Sequence, residues 1–274
     1  MQADLDVIRL GISGDIGAWI HFNRDTAFAS PDNLALVAPF PPSELMRNTS
    51  GLSDNRDFAA HGCDILAALQ LASPRPLSGF EHVLDFGIGV GRLARMFKGF
   101  HGRYTGVDVD GRHVEWVSSS LDFASAVTSA PRRPLPFEAR QFDSVISISV
   151  FTHMNEADQF FYLSELARLA APGALLFLTV HGERALRRAE TEAKIFAMLD
   201  VPTTAISEAR KAFGGKGYQF ILQDGHLTSD AYEYGITFIS DSYIRNEWSR
   251  FFYVKGVRSG AIHDFQDIVV LEAR

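Results

Sequence analysis

Between residues 81 and 180, short apolar runs alternate with segments of helical periodicity, and this limits the available folds more than any other feature of the chain. The predicted strands are 81–86, 103–109, a weaker one near 123–128, 142–149 and 174–180. Helices are predicted between them at 92–98, 112–121 and 156–170, the last placing Phe160, Leu163, Ala167 and Ala170 on one face. Strands that alternate with helices build a mainly parallel sheet wound on both sides, with ligands held outside the strand C-termini.

The most informative junction is residues 83–91, VLDFGIGVG. An apolar run, an acidic residue and three glycines at every second position describe a buried strand feeding a tight turn. The turn leads into a helix N-terminus, where backbone N–H groups receive the polar end of a nucleotide-like ligand. A dinucleotide fingerprint needs a third small residue, and counting from Gly87 and Gly89 that residue is Arg92, which is too large. Gly91 comes one place earlier, and Asp85 precedes the turn. A carboxylate there repels phosphate and attracts an ammonium group. Asp108 follows about 20 residues beyond the first glycine, the usual place for a carboxylate that accepts hydrogen bonds from ribose hydroxyls. Asp110, past the strand end beside Gly111, is its weaker twin.

With Asp85-Phe86-Gly87-Ile88-Gly89-Val90-Gly91, Gly106-Val107-Asp108, the fourth-strand segment LPFEARQFDSVIS and the fifth-strand segment ALLFLTV, the chain resembles the class I S-adenosylmethionine-dependent methyltransferases over roughly residues 80–181. The resemblance implies an α/β fold, a doubly wound, seven-stranded, mainly parallel sheet with a terminal antiparallel strand and the last strand beside the fifth. It also implies S-adenosylmethionine as cofactor, touched by Asp85, Phe86, Gly87, Gly89, Gly91, Asp108, Val109, Ser149 and Val150. The division read from it is an N-terminal extension (1–78), a cofactor core (79–181), an insertion on the substrate side (182–247) and a final strand pair (248–274).

In methyl transfer the protein aligns nucleophile, methyl and sulfur and sometimes removes a proton. His153 leaves the fourth strand at the edge where the methyl should lie, and imidazole titrates in the useful range, so it is the catalytic candidate. The competing reading is a helix-start histidine that bonds backbone or lines the cofactor pocket. His181 leaves the fifth strand similarly, as a substrate-lining residue or an exposed loop histidine. The 9 histidines form no metal motif, and no metal is expected. Tyr218, Phe220, Tyr232, Tyr234, Tyr243 and Trp248 are either an aromatic wall for the acceptor or lid packing. The absence of an N/D-P-P-Y/F motif after the fourth strand disfavours methylation of an exocyclic base amine or a glutamine amide.

Outside the core, apolar patches at 7–12 and 34–40 are read as a hairpin arm, followed by a break at Pro41-Pro42. A helix is predicted from Ser53, as N-cap, through Leu71. Arg47 and His61 are either cleft-facing or, more in keeping with their type, solvated. Helices are predicted at 183–199 and 206–213, and a final strand pair at 251–257 and 264–273. A net charge of −7 and a pI near 5.7 disfavour nucleic acid as partner. The longest apolar run, about seven residues, is far short of a membrane span. The N-terminal stretch lacks the order of a secretory signal, which makes the cytoplasm the default setting. Cys63, the single cysteine, is read as a small buried helix residue, with no disulfide. The expected activity is methyl transfer from S-adenosylmethionine to an oxygen or nitrogen of a small molecule. The rivals are a regulatory protein that binds the same cofactor without turnover and, opposed by Arg92 and Asp85, a nicotinamide-dependent oxidoreductase.

Overall fold

The computed structural model describes residues 11–223 and 233–274. The chain divides into two compact units, Met1–Ser129 and Ala130–Arg274.

The first unit contains, in order, α1 (Ile16–Arg24), α2 (Pro31–Leu34), α3 (Ser43–Ser50), α4 (Asn55–Ala72), β1 (His82–Phe86), β2 (Arg103–Asp108), α5 (Gly111–Ser120) and β3 (Ala124–Thr128). β1 pairs with β2 and β2 with β3, all parallel. α4 is capped one residue later than expected: Asp54, not Ser53, accepts from the N–H groups of Arg56 and Asp57 at 2.8 and 3.1 Å. A carboxylate there also meets the positive end of the helix dipole. α1 packs against α4, and Trp19 is buried with its indole N–H donating to the carbonyl of Met96 at 2.8 Å. Burying such a side chain contributes about 1.5–3 kcal/mol.

Two expectations fail in this unit. The hairpin arm is not there: residues 7–10 lie outside the described residues, and 34–40 run from the end of α2 without strand structure. Side chains take the place of a strand partner. Lys98 Nζ donates to the Leu36 carbonyl at 2.7 Å, and the Arg95 guanidinium donates to the carbonyls of Ala38 and Pro39. Those acceptors are thereby satisfied, as buried backbone requires. The predicted helix 92–98 is reduced to a 3-10 turn, Ala94–Phe97, ended at Gly99 with φ 78°. All four of its residues are buried, so it has no solvent face of the kind a surface helix on a sheet keeps.

The second unit contains β4 (Phe142–Ser147), α6 (Glu156–Leu169), β5 (Ala170–Val180), α7 (Glu183–Thr191), α8 (Ala193–Leu199), α9 (Ala205–Gly215), β6 (Tyr218–Leu222), β7 (Gly235–Ile239), α10 (Asp241–Glu247), β8 (Phe252–Ile262) and β9 (Gln266–Ala273). β4 and β5 are parallel, and β9 lies antiparallel beside β5 with Leu176 opposite Leu271. β8 pairs antiparallel with β9 and is longer than the 251–257 run suggested. The main sheet has seven strands in the order β3-β2-β1-β4-β5-β9-β8, the expected architecture with the last strand beside the fifth.

The expected single helix 183–199 is two helices. Glu192 between them is extended (φ −117°, ψ 106°) and is gripped by Arg188, whose Nε and Nη2 donate to its two carboxylate oxygens at 2.6 and 2.7 Å. The glycine- and aromatic-rich stretch beyond holds a second, two-stranded sheet in which β6 and β7 run antiparallel from Tyr218 opposite Ile239 to Leu222 opposite Gly235. Leu186, Ile206, Ile236 and Phe238 form part of one buried cluster that joins these helices to this sheet. Among the described residues, no helix is long and apolar enough to cross a membrane.

Candidate functional site

In the first unit the turn after β1 is laid against the end of β2. The N–H groups of Gly87 and Ile88 both donate to the Val107 carbonyl, at 2.8 and 3.1 Å. Gly87, Gly89 and Gly91 have φ of 83°, 53° and 76°, a left-handed conformation that side chains disfavour, and this explains glycine at every second position. Gly106 is required for another reason. A Cβ there would stand 2.2 Å from Cδ1 of Ile88, so only a bare backbone lets the loop lie on the strand. α3 approaches from the other side, where a Cβ on Gly89 would meet Thr49 Cγ2 at 3.3 Å.

Asp108 ends β2 with its carboxylate held in a fixed orientation. Its Oδ2 accepts from the Gly89 N–H at 2.8 Å, its Oδ1 accepts from the Asp110 N–H at 2.9 Å, and His113 Nδ1 lies 3.4 Å away. Glycine loop and acidic residue thus meet in one place. Val109 follows, 36% exposed; β2 stops one residue before it. Asp110 is taken up by α5: it caps Arg112 N–H at 2.9 Å and forks onto the Arg112 guanidinium, which holds its carboxyl down at about 2. Phe86 is buried at the end of β1.

Asp85 lies beneath the loop, only 3% exposed, accepting from the Tyr104 hydroxyl at 2.6 Å. Burial raises its pKa from 3.8 to about 7; the Tyr104 hydrogen bond and Arg92 oppose that rise, and Asp108 adds to it. Arg92, half-buried, is itself lowered to about 10 by burial against the pull of Asp85. The native state therefore holds a proton on Asp85 that the unfolded chain has lost above pH 3.8, and stability from this group falls as pH rises towards 7. His181 works in the opposite sense. Burial, then His153, depress its pKa from 6.5 to about 3, so the unfolded chain gains a proton first and stability is lost as pH falls below 6.5. Asp85→Asn is expected to flatten the limb on which stability falls as pH rises from 3.8 to about 7, and His181→Gln the limb on which it falls as pH drops from 6.5 towards 3, as read from urea midpoints. Unchanged limbs would contradict these assignments.

In the second unit β4 stops at Ser147, not at 149 as expected. The Ser149 N–H donates to Thr179 Oγ1 at 2.7 Å instead of to a strand carbonyl, and Ser149 takes φ 61°. Its hydroxyl accepts from Gln266 Nε2 at 2.8 Å. Val150 begins the 3-10 turn Phe151–His153, its carbonyl accepting the His153 N–H at 3.0 Å. His153 Nδ1 donates to the Gly235 carbonyl at 2.8 Å, and the Tyr234 ring stacks on the imidazole at 4.6 Å and 11°. His181 is not an exposed loop residue: it is 3% exposed, with Phe265 and Phe238 rings 4.7 and 5.9 Å away and the His153 ring at 6.4 Å.

Of the late aromatic residues, Tyr218, Tyr243 and Trp248 are core side chains, Tyr234 is the one on His153, and Tyr232 lies outside the described residues. Arg47 is exposed, and Cys63 is buried on α4 with its thiol donating to the Ile20 carbonyl and raised to about 11 by burial. Sequence reasoning missed Tyr104, Gly235 and Thr237. Gly106 entered it only for its place before Asp108, although a small residue at the centre of an apolar strand signals a close backbone approach.

Residues 84–178 match a family model described as a methyltransferase domain. The PH0226 protein of Pyrococcus horikoshii OT3 has a similar fold, with a TM-score of 0.57 at 15% identity over 84% of this chain and 96% of that one. A structure reported for the conversion of a disulfide bond into a thioacetal group during echinomycin biosynthesis gives 0.52 at 16% identity, over 76% and 81%. The glycopeptide N-methyltransferase MtfA, complexed with sinefungin, gives 0.52 at 14% identity, over 76% and 93%. At these identities the likeness is one of fold. The matched segment runs from within β1 to within β5 and includes the glycine loop and Asp108. Residues 84–178 of the chain thus carry a methyltransferase domain.

Proposed function

We propose that the protein methylates an oxygen or nitrogen atom of a small molecule, with Asp108 receiving the ribose hydroxyls and the Gly87–Gly91 turn receiving the methionine end of the cofactor. The observation that carries this reading is the Gly89 N–H bound to the Asp108 carboxylate, which fastens loop and ribose acid together. The bound cofactor supplies an electrophilic methyl carbon on a sulfonium. Asp85, beneath the turn, takes up negative charge once an ammonium group is bound, since a nearby cation favours the ionised carboxyl. Phe86, Gly91 and Val109 shape this site beside them.

His153 is the proton acceptor in this reading. Because a carbonyl only accepts, the Gly235 hydrogen bond fixes the proton on Nδ1 and leaves the lone pair of the neutral ring on Nε2, the arrangement a general base needs. Such a base suits a hydroxyl or an ammonium, whose proton has to leave as the new bond forms. The name of MtfA, a glycopeptide N-methyltransferase, illustrates a nitrogen acceptor on this fold. The net charge of −7 fits a small acceptor better than nucleic acid, and we place the enzyme in the cytoplasm.

A screen of small hydroxyl- and amine-bearing metabolites with methyl-labelled cofactor tests the proposal. Transfer of label to at least one of them, lost in His153→Gln, is the expected result. No transfer across broad panels by a protein that binds the cofactor would favour the regulatory reading.

A further inference from the structure

Three consecutive residues at the end of the 3-10 turn after β4 are fastened to the small β6–β7 sheet and its flank. His153 Nδ1 donates to the Gly235 carbonyl at 2.8 Å. The Met154 carbonyl accepts from Thr237 Oγ1 at 2.6 Å and from the Tyr218 hydroxyl at 3.2 Å, with Gln159 Nε2 at 3.3 Å. Asn155 Nδ2 donates to Glu233 at 2.8 Å while its Oδ1 caps α6 through the Asp158 N–H. The same sheet holds the neighbouring histidine, since the His181 carbonyl accepts from the Ile239 N–H at 2.8 Å. Thr237 is fully buried, so its hydroxyl makes this bond in place of any bond to water.

We propose that the β6–β7 sheet is the seat of the His153 ring, and that Thr237 and Tyr218 are positioning residues which, through Met154, keep the imidazole aimed at the Gly235 carbonyl. The proposal rests on the reading of His153 as general base and deepens it. A base is useful only if its proton sits on the correct nitrogen, and here that is decided by a backbone carbonyl whose strand is locked to the residue following the base. A loosened seat lets the ring turn and exchange tautomers. The insertion before the last strand pair therefore acts on the chemistry itself, not only on acceptor choice.

The test reads the His153 ring nitrogens by NMR in protein labelled with 15N-histidine and saturated with S-adenosylhomocysteine. The native protein and Thr237→Ser are expected to show the Nδ1–H tautomer as the neutral form. Tyr218→Phe/Thr237→Val is expected to lose that single tautomer, while its dissociation constant for S-adenosylhomocysteine stays within about twofold of native. Should the double variant not fold, Glu233→Ala, at an exposed position, frees Asn155 and is expected to give a smaller shift of the same sign. An unchanged tautomer in the variant tested, or a Thr237→Ser protein as altered as the valine variant, would overturn the proposal. Failure of the general-base reading is separate, since it appears as undiminished methyl transfer by His153→Gln.

Discussion

Replacing Asp108 by alanine is expected to weaken S-adenosylhomocysteine binding by at least about tenfold, the scale of losing charge-assisted hydrogen bonds to a pair of hydroxyls. The variant loses two things at once. It removes the acceptor for the ribose, and it releases the N–H groups of Gly89 and Asp110, which that carboxylate now holds at 2.8 and 2.9 Å. Asp108→Asn keeps the shape and one good acceptor but no charge, so it should fall between the native protein and the alanine variant. Asp110→Ala, which removes the α5 cap and its Arg112 pair, is expected to cost stability and little affinity. Titration calorimetry separates these cases. An unchanged dissociation constant for Asp108→Ala would refute its assignment to the ribose.

Arg95→Ala is expected to lower the stability of the protein by about 3 kcal/mol, the cost of orphaning buried acceptors and opening a cavity. Arg95 is 1% exposed. Its Nε and Nη2 donate to the Ala38 carbonyl at 3.2 and 2.5 Å, and Nε also donates to that of Pro39 at 2.8 Å. The guanidinium lies 3.6 Å from the centre of the Phe40 ring. Its pKa is pulled down to about 9 by burial, so part of what the hydrogen bonds contribute is offset by the desolvated charge. For that reason Arg95→Met, which refills the volume without the charge, should lose about half as much. Urea unfolding provides the comparison, and an Arg95→Ala protein with native stability would show that the 36–40 segment is held by something else. The segment leads into α3, the helix that meets the glycine loop at Thr49, so the same variant should also weaken cofactor binding.

The core was legible because strands buried on both faces read as continuous apolar runs. VLDF, VIS and ALLFLTV mark β1, β4 and β5, and the alternation with helices fixes their parallel order. The meeting of Asp108 with the glycine turn was legible from spacing, since an acid that ends the second strand falls at a set distance beyond that turn. What escaped depends on contacts made far along the chain. The helix expected at 92–98 shrinks to one tight turn because Arg95 is drawn inward to carbonyls at 38 and 39, a pairing across more than fifty positions that no local pattern carries. The break at Glu192 depends on Arg188 gripping it, and the runs YQFIL and GITFI were too short, among glycines and aromatics, to be told from loop. The surroundings of His153 were the least legible. Its partners are the carbonyl of Gly235 and, through Met154, the hydroxyls of Thr237 and Tyr218, and a backbone carbonyl leaves no mark in a sequence.

The central claim is that the glycine loop and Asp108 hold an S-adenosyl group and that this site serves methyl transfer. Thermal unfolding of the native protein with S-adenosylhomocysteine, NAD or NADP, each in turn, tests it most directly. A ligand that binds only the folded state at a hundred times its dissociation constant adds about 2.7 kcal/mol, and the midpoint should rise by roughly 5 °C or more with S-adenosylhomocysteine. NAD and NADP should leave it where it was. Stabilisation by a nicotinamide dinucleotide, with none from S-adenosylhomocysteine, would contradict the account.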